Sequence, residues 1–289
     1  TCFKMKARPG RDIHKQTEAV GRVVPPDYKF DIDFNGFLLT AANAEVHLQR
    51  LDEHPTVGMY ESPFYLQRDL VGAKSLRPRV RKPVIEPFNE QVLHAQASDG
   101  FVVGGGATAI RNMGALAASF NKPFWLQLVG TGITTAFTLH LGASLSHAQW
   151  PAITCLNTYA DDLLTHPIEM QRGYAPVPEL PGLGIEVDED AIERLRRPTT
   201  GPHKMPRMIH TVAWTDGLRV SYTSHAAMEA DFMAGNRSGF EPGVSLVTED
   251  DDGSEEFNGR WQQVLEADVL VDHGLGMANG TGNQRRKRS

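Results

Sequence analysis

The sequence feature that most constrains the fold of this chain is an alternation: short apolar runs are followed, again and again, by segments with the apolar spacing of a helix. The apolar runs cover residues 3–7, 30–34, 57–60, 83–85, 100–103, 123–129 and 152–156. Apolar residues at helical spacing follow each run, as Ala41, Ala44, Leu48 and Leu51 do after the second. Strand–helix units predict a parallel sheet covered by helices, and about seven of them favour an α/β fold of the (β/α) TIM-like barrel type.

The pattern changes towards the end of the chain. Prolines and glycines in residues 173–184 exclude regular structure, and residues 188–197 have the charge pattern of a short helix. Further on, residues 208–214 and 218–223 flank Thr-Asp-Gly, which predicts a hairpin. We therefore predict an N-terminally truncated barrel domain over residues 1–197. Residues 198–289 are predicted to form a small β-rich extension with a disordered basic tail at 285–288.

Composition and charge narrow the class of protein. The formal net charge is −6 and the pI about 6.0, which gives no electrostatic reason to expect nucleic acid as a partner. No apolar run approaches the roughly 20 residues of a membrane helix. Cys2 and Cys155 are far apart and form no disulfide framework, which fits a reducing compartment. We expect a cytoplasmic homo-oligomer that binds neither nucleic acid nor membrane.

Polar residues end the first predicted strands. Lys4 and Lys6 alternate with apolar residues on the first strand, so they share one face. Asp33 and Asn35 share a face at the end of the second strand, and Glu61 ends the third. Two amines in one cavity repel each other, which favours the neutral form of one and so its use as a base.

A third carboxylate, Glu86, ends the fourth predicted strand. The ends of neighbouring parallel strands meet at one rim of a barrel, and carboxylate oxygens there suit a hard cation such as Mg²⁺. Each signal is weak when taken alone. A Lys-x-Lys pair is usually an exposed edge, and an acid that ends a strand is usually a helix N-cap or a solvated loop residue.

The order of these residues resembles the mandelate racemase/muconate-lactonizing branch of the enolase superfamily. Lys-x-Lys, Asp-x-Asn and Glu-x-Pro follow one another, Gly104 to Gly106 precede a helix, and residues 178–188 resemble the family's closing sequence. The resemblance covers residues 3–197. It implies an enolase-type barrel that binds Mg²⁺ and removes the proton alpha to a substrate carboxylate.

The resemblance also implies roles for single residues. Lys6 is the expected base and Lys4 its electrostatic neighbour, while Asp33 and Glu61 are expected metal ligands and Glu86 a third. Asn35, Gln127 and Asn157 are expected to bind substrate. The family's N-terminal capping domain would precede Thr1. The chain starts almost directly in a strand without methionine, and we expect that an upstream segment is missing.

The departures from the family pattern limit the reaction. Gln127 lies near the position where racemases and many dehydratases have a histidine, and Asn157 lies where a glutamate is common. The opposite-face His–Asp pair is therefore missing, which disfavours a racemase or cycloisomerase. A one-base dehydration of a sugar acid or related small carboxylate remains, with Lys6 as base. The alternative is a barrel that has lost catalysis and serves as a carboxylate-binding or assembly protein.

Overall fold

The protein consists of two compact units. A computed structural model describes residues 2–197 and 205–273. The first unit contains residues 2–6 and 24–197, and the second contains residues 7–23 and 205–273. The basic tail predicted at 285–288 lies outside the described residues. In this described part of the chain, every helix is too short or too polar to span a membrane.

The first unit is a sheet of six parallel strands in sequential order. The strands are β1 (Cys2–Lys6), β2 (Lys29–Asp33), β3 (Val57–Glu61), β4 (Val84–Pro87), β5 (Gly100–Val103) and β6 (Phe124–Leu126). Its helices are α2 (Ala41–Leu51), α3 (Leu70–Leu76), α4 (Glu90–Ala95), α5 (Ala107–Ser119), α6 (Gly132–Ser144) and α7 (Glu189–Leu195). Helix α1 (Ile13–Gly21), between β1 and β2, belongs to the second unit. The predicted (β/α) barrel type is confirmed.

The two faces of the sheet have different partners. Tyr60 on β3 faces the helices, because its hydroxyl donates to the Leu48 carbonyl of α2 at 3.1 Å. The neighbouring positions Met59, Ile85, Val102 and Trp125 form a separate buried cluster. Successive side chains on a strand point to opposite faces, so this cluster marks the inner face of the sheet. Residues in register with it point into the interior of the barrel.

The sheet curls, so that side chains from its first and last strands meet. The Lys4 ammonium on β1 donates to Gln127 Oε1, just beyond β6, at 2.7 Å. The strand predicted at residues 152–156 is wrong in extent, because only Ile153 pairs with the sheet, in a single bridge to Gln127. Pro151 has no N–H to donate, and Cys155 adopts a left-handed conformation with φ of 57°. Both residues limit the length of pairing.

The second unit contains a separate antiparallel sheet in the order β10-β8-β7-β9. Its strands are β7 (Met208–Ala213), β8 (Arg219–Tyr222), β9 (Ser245–Asp250) and β10 (Leu270–Asp272), with helices α1, α8 (His225–Met233) and α9 (Glu255–Ala267). The predicted hairpin is confirmed as β7–β8, closed by a Trp214 N–H to Leu218 carbonyl bond of 2.9 Å.

The segment of residues 7–23 is hydrogen-bonded within this second unit. The Gly10 N–H donates to the Gly239 carbonyl at 2.9 Å. The Asp12 side chain caps α1 by accepting from the His14 and Lys15 amides, and it also accepts from the Gly243 N–H at 2.7 Å. The second unit is therefore built from two separate stretches of the chain.

Candidate active site

Strand register brings the predicted amines and two of the predicted acids onto the inner face. Lys6 on β1 pairs with Asp33 on β2, and Asp33 pairs with Glu61 on β3. Residues paired across parallel strands point to the same side, and Glu61 shares a face with Met59 of the inner cluster. All three lie at the C-terminal ends of their strands, which is the end where βα barrels place their reactive groups.

The Lys4 ammonium group lies at the centre of the site. It is 2.7 Å from Glu61 Oε2, 3.2 Å from Asp33 Oδ2 and 2.7 Å from Gln127 Oε1. It also lies 5.8 Å from the ring centroid of Trp125, within the range of a cation–π contact. The Lys4 side chain is only 8% exposed. A buried ammonium is costly unless its donors are satisfied, and here it donates to Glu61 and Gln127 and is ion-paired with the Asp33 carboxylate.

Lys6 occupies a different environment. Its ammonium donates to Asp33 Oδ2, and its side chain is 44% exposed, whereas the Asp33 side chain is fully buried. Asp33 also accepts from the Asn35 backbone N–H at 2.9 Å and from the Asn35 side-chain amide at 3.3 Å. Asn35 adopts a left-handed conformation with φ of 47°, which asparagine tolerates better than most residues. Asn35 therefore holds the Asp33 carboxylate that contacts both amines.

Burial and charge crowding perturb the Glu61 carboxyl. Burial raises the pKa of Glu61 to about 7, and repulsion from Asp33 adds to the rise. The nearby Lys4 ammonium opposes the shift by attraction and by its hydrogen bond, and Lys6 opposes it more weakly. Carboxyl groups with shifted pKa values are typical of functional sites, and structural ion pairs also shift such pKa values.

Glu86 lies on the other face of the sheet. Glu61 is in register with Ile85, and Glu86 is in register with Phe101. Burial raises the pKa of Glu86 to about 8; hydrogen bonding from Ser62 opposes the rise, and repulsion from Glu61 and Asp33 adds to it. Its Oε2 atom is buried without a hydrogen-bond partner in the described residues. The structure thus brings Glu86 within electrostatic range of the two acids without placing it beside them.

The three amide residues predicted to bind substrate have different surroundings. Asn35 hydrogen-bonds to Asp33, and Gln127 accepts from Lys4. Asn157 is exposed in a 3-10 turn (Leu156–Thr158), and among the described residues no bond joins it to the others. Sequence reasoning missed Trp125, although its position two residues before Gln127 on one strand was a usable signal.

The donor set fits a divalent cation held by two carboxylates. Asp33 and Glu61 present oxygen atoms to one point, which the Lys4 ammonium occupies. Mg²⁺ prefers oxygen ligands, and proteins usually bind it through one or two carboxylates with water and substrate completing the shell. Across residues 2–197 and 205–273, no group of three His, Cys, Asp or Glu side chains could hold a metal ion. Asp33 and Glu61 are the two described carboxylates that could hold the ion, with water or substrate needed to complete its shell.

Fold and site together define a class of protein: a (β/α) barrel with paired amines and carboxylates at the C-terminal rim of its strands. A family model described as "Enolase C-terminal domain-like" matches residues 1–191. The chain belongs to this family of the enolase superfamily, and the resemblance to its mandelate racemase/muconate-lactonizing branch is confirmed.

Known proteins similar to this chain are enzymes of that superfamily. An N-succinylamino acid racemase from Amycolatopsis sp is 28% identical over 199 residues, covering 63% of this chain and 52% of that protein. An o-succinylbenzoate synthase from Geobacillus kaustophilus is 25% identical over 206 residues, covering 66% and 53%. The structure of 3,6-anhydro-D-galactonate cycloisomerase from Zobellia galactanivorans matches with a TM-score of 0.55 and 25% identity, covering 67% and 57%. The chain thus spans about half the length of the curated relatives it matches.

Proposed function

We propose that this chain supplies the base and the metal ligands of an enzyme that removes the proton alpha to the carboxylate of a small acid. The observation that carries the proposal is the unequal exposure of the two amines. Lys6 is 44% exposed and can reach a substrate at the barrel rim, whereas Lys4 is 8% exposed and enclosed by other side chains. A base must come within hydrogen-bond reach of the proton it removes, and of the two amines Lys6 is the one exposed enough to meet a substrate.

In this proposal the site residues divide the work between proton transfer and cation binding. In its neutral form the Lys6 amine accepts the substrate proton and becomes the ammonium that donates to Asp33, and this hydrogen bond fixes its position. Asp33 and Glu61 would hold the divalent cation, and Glu86, expected as a third ligand, is a more distant acid within electrostatic range of both. When bound, the cation would offset the negative charge that develops on the substrate carboxylate as the proton leaves.

A one-base reaction is favoured over one that needs a base on each side of the substrate. The strand ends opposite Lys6 provide Gly104 after β5 and Gln127 after β6, and neither is a base. Loss of water from a sugar acid needs one base and fits this arrangement. Support for the substrate class comes from the Zobellia cycloisomerase, which is named for a sugar acid, 3,6-anhydro-D-galactonate. Dehydration is therefore the preferred reaction, and isomerisation is the alternative within the same chemistry. A cytoplasmic location and a homo-oligomeric state stay predictions.

Exchange of the proposed base tests the reaction. Lys6→Ala should lower kcat by about 10² or more, because a positioned base contributes at least that factor. The measurement is a screen of acid sugars and other small carboxylates for 2-keto product, followed by kinetics on the acid that reacts. Lys74→Ala, on the exposed side of α3, is the matched control and should keep full activity. Equal activity of the Lys6 and Lys74 variants would contradict the proposal.

Exchange of a proposed ligand tests the metal. Calorimetric titration of Mg²⁺ into the Asp33→Asn variant should show at least a hundredfold loss of affinity, because one of two anionic ligands becomes neutral. The matched control is Asp27→Asn, an exposed turn residue, which should bind Mg²⁺ like the unmodified protein. Binding that survives in Asp33→Asn would place the metal elsewhere.

A second candidate function is a carboxylate-binding barrel without turnover. It is motivated by Gln127, which is engaged with Lys4, and by Asn157, which is exposed outside the cluster. In that case Lys6→Ala would leave every detectable activity unchanged but would weaken the binding of a small acid. The two candidates therefore differ in whether product forms, and the same variant distinguishes them.

A further inference from the structure

The Lys4 ammonium group is enclosed by oxygen atoms like a bound ion. Its three acceptors are Glu61 Oε2 at 2.7 Å, Gln127 Oε1 at 2.7 Å and Asp33 Oδ2 at 3.2 Å. Two of these atoms belong to carboxylates and the third to a neutral amide. A hard divalent cation prefers the same kind of donors. The acceptors come from β2, β3 and the end of β6, so the curl of the sheet forms the enclosure.

We propose that Lys4 is a tethered cation that occupies the divalent-cation position of this site, and that metal binding requires its displacement. The inference rests on the metal site of the proposed function. The ammonium neutralises two buried carboxylates that would otherwise repel each other at high energetic cost. The metal and Lys4 then compete for the same two oxygen atoms, Asp33 Oδ2 and Glu61 Oε2.

Lys6 is the built-in comparison for this competition. It also contacts Asp33 Oδ2, but in the described residues its ammonium forms no ion pair with Glu61, and its side chain is 44% exposed. Removing Lys6 therefore changes the net charge as much as removing Lys4 does, without vacating the point between the two carboxylates. Both variants lose one positive charge. A difference in their Mg²⁺ affinities therefore measures the cost of displacing the Lys4 ammonium from the two carboxylates.

The test is a calorimetric titration of Mg²⁺ into three chelator-treated proteins: unmodified, Lys4→Met and Lys6→Met. Lys4→Met should bind Mg²⁺ about tenfold tighter than the unmodified protein, since a contacting charge is removed. Lys6→Met should gain about threefold or less, because its charge is better screened by water. Equal gains in the two variants, an unchanged or weaker affinity in Lys4→Met, or no Mg²⁺ binding by any of them would overturn the inference.

Thermal unfolding supplies a readout that needs neither substrate nor turnover. Without metal, Lys4→Met should melt about 10 °C lower than the unmodified protein, and saturating Mg²⁺ should raise its Tm by more than it raises that of the unmodified protein. Lys4→Gln, which keeps two N–H donors, replaces Lys4→Met if the latter does not fold. A Tm unaffected by the loss of Lys4 would contradict the role of resident cation.

The inference and the proposed function fail in different experiments. If Lys4→Met binds Mg²⁺ tighter while Lys6→Ala keeps full activity, the tethered cation stands and the proposed base is wrong. If Lys6→Ala loses activity and Asp33→Asn loses the metal while Lys4→Met binds Mg²⁺ no tighter, the proposed function stands and the competition is wrong.

Discussion

At the scale of single residues, Gln127 has a partner within the protein. The family resemblance implied that it binds substrate, and its Oε1 accepts from the Lys4 ammonium at 2.7 Å. This bond holds Lys4 in the absence of substrate. The amine it holds is buried, so the bond is made in a medium where losing it is costly.

Exchange of Gln127 should therefore affect the protein in the absence of substrate. Gln127→Leu should lower the free energy of unfolding by about 1.5–3 kcal/mol, which is the usual range for a hydrogen bond to a charged group. Denaturant unfolding without metal or substrate provides the measurement. Asn157→Leu, at the exposed residue predicted to share the role of Gln127, should change stability by no more than about 0.5 kcal/mol. Similar losses in the two variants would argue against a positioning role.

At the scale of elements, strand periodicity explains which site residues the sequence could predict. Alternation places Lys4 and Lys6 on one face without knowledge of the neighbouring strands. Glu86 shows the limit, because its face depends on the register between β3 and β4, where Glu61 pairs with Ile85. A shift of one residue turns every side chain to the other face, and no local signal in this chain fixes that register. The contacts of Gln127 were hidden for a similar reason, since they depend on the curl of all six strands.

Strand register also places one glycine where there is no room for a side chain. Gly100 on β5 is in register with Ile85, and a Cβ there would lie 2.4 Å from both the Pro123 carbonyl oxygen and the Trp150 ring. Gly100→Ala should lower the free energy of unfolding by about 2–3 kcal/mol through overpacking. Gly106→Ala is the matched control, because a Cβ there meets nothing within 4 Å, and its effect should stay within about 1 kcal/mol. Chemical denaturation of the two variants gives the comparison.

At the scale of the whole molecule, the two units respond to pH in opposite directions. In the first unit, the pKa values of Glu61 and Glu86 are raised, mainly by burial, to about 7 and about 8. In the second unit, burial and then the charge of His225 lower the pKa of His210, and Asp250 opposes this. His210 lies with its ring centroid 4.3 Å from that of His225.

The signs of these shifts predict how stability changes with pH in metal-free solution. A carboxyl with a raised pKa contributes stability that is complete below about 4.5 and is lost as the pH rises through about 7 to 8. A histidine with a lowered pKa contributes stability that is present above about 6.5 and is lost as the pH falls. Two carboxyls lose stability over this range while one histidine gains it below about 6.5, so thermal melts should show stability falling as the pH rises from about 5 to about 8.

Two variants separate the contributions to this pH profile. Glu86→Gln should reduce the decline between about pH 4.5 and 8 by about 1–3 kcal/mol. His210→Gln should make the decline steeper below about pH 6.5 and leave it unchanged above that pH. A Glu86→Gln profile identical to that of the unmodified protein would show that this carboxyl has an ordinary pKa.

The second unit is built from two separate stretches of the chain, and this limits how the protein can be divided into fragments. In a simple βα barrel, the helix that follows the first strand covers the outer surface of the sheet. Here that helix, α1, belongs to the second unit, where Gly10 and Asp12 just before it hydrogen-bond to Gly239 and Gly243. Cutting the polypeptide at residue 197 would separate α1 from these partners, so a recombinant piece ending there would carry an orphaned helix. A carboxy-terminal module transplanted by itself would likewise lack residues 7–23, which complete it here.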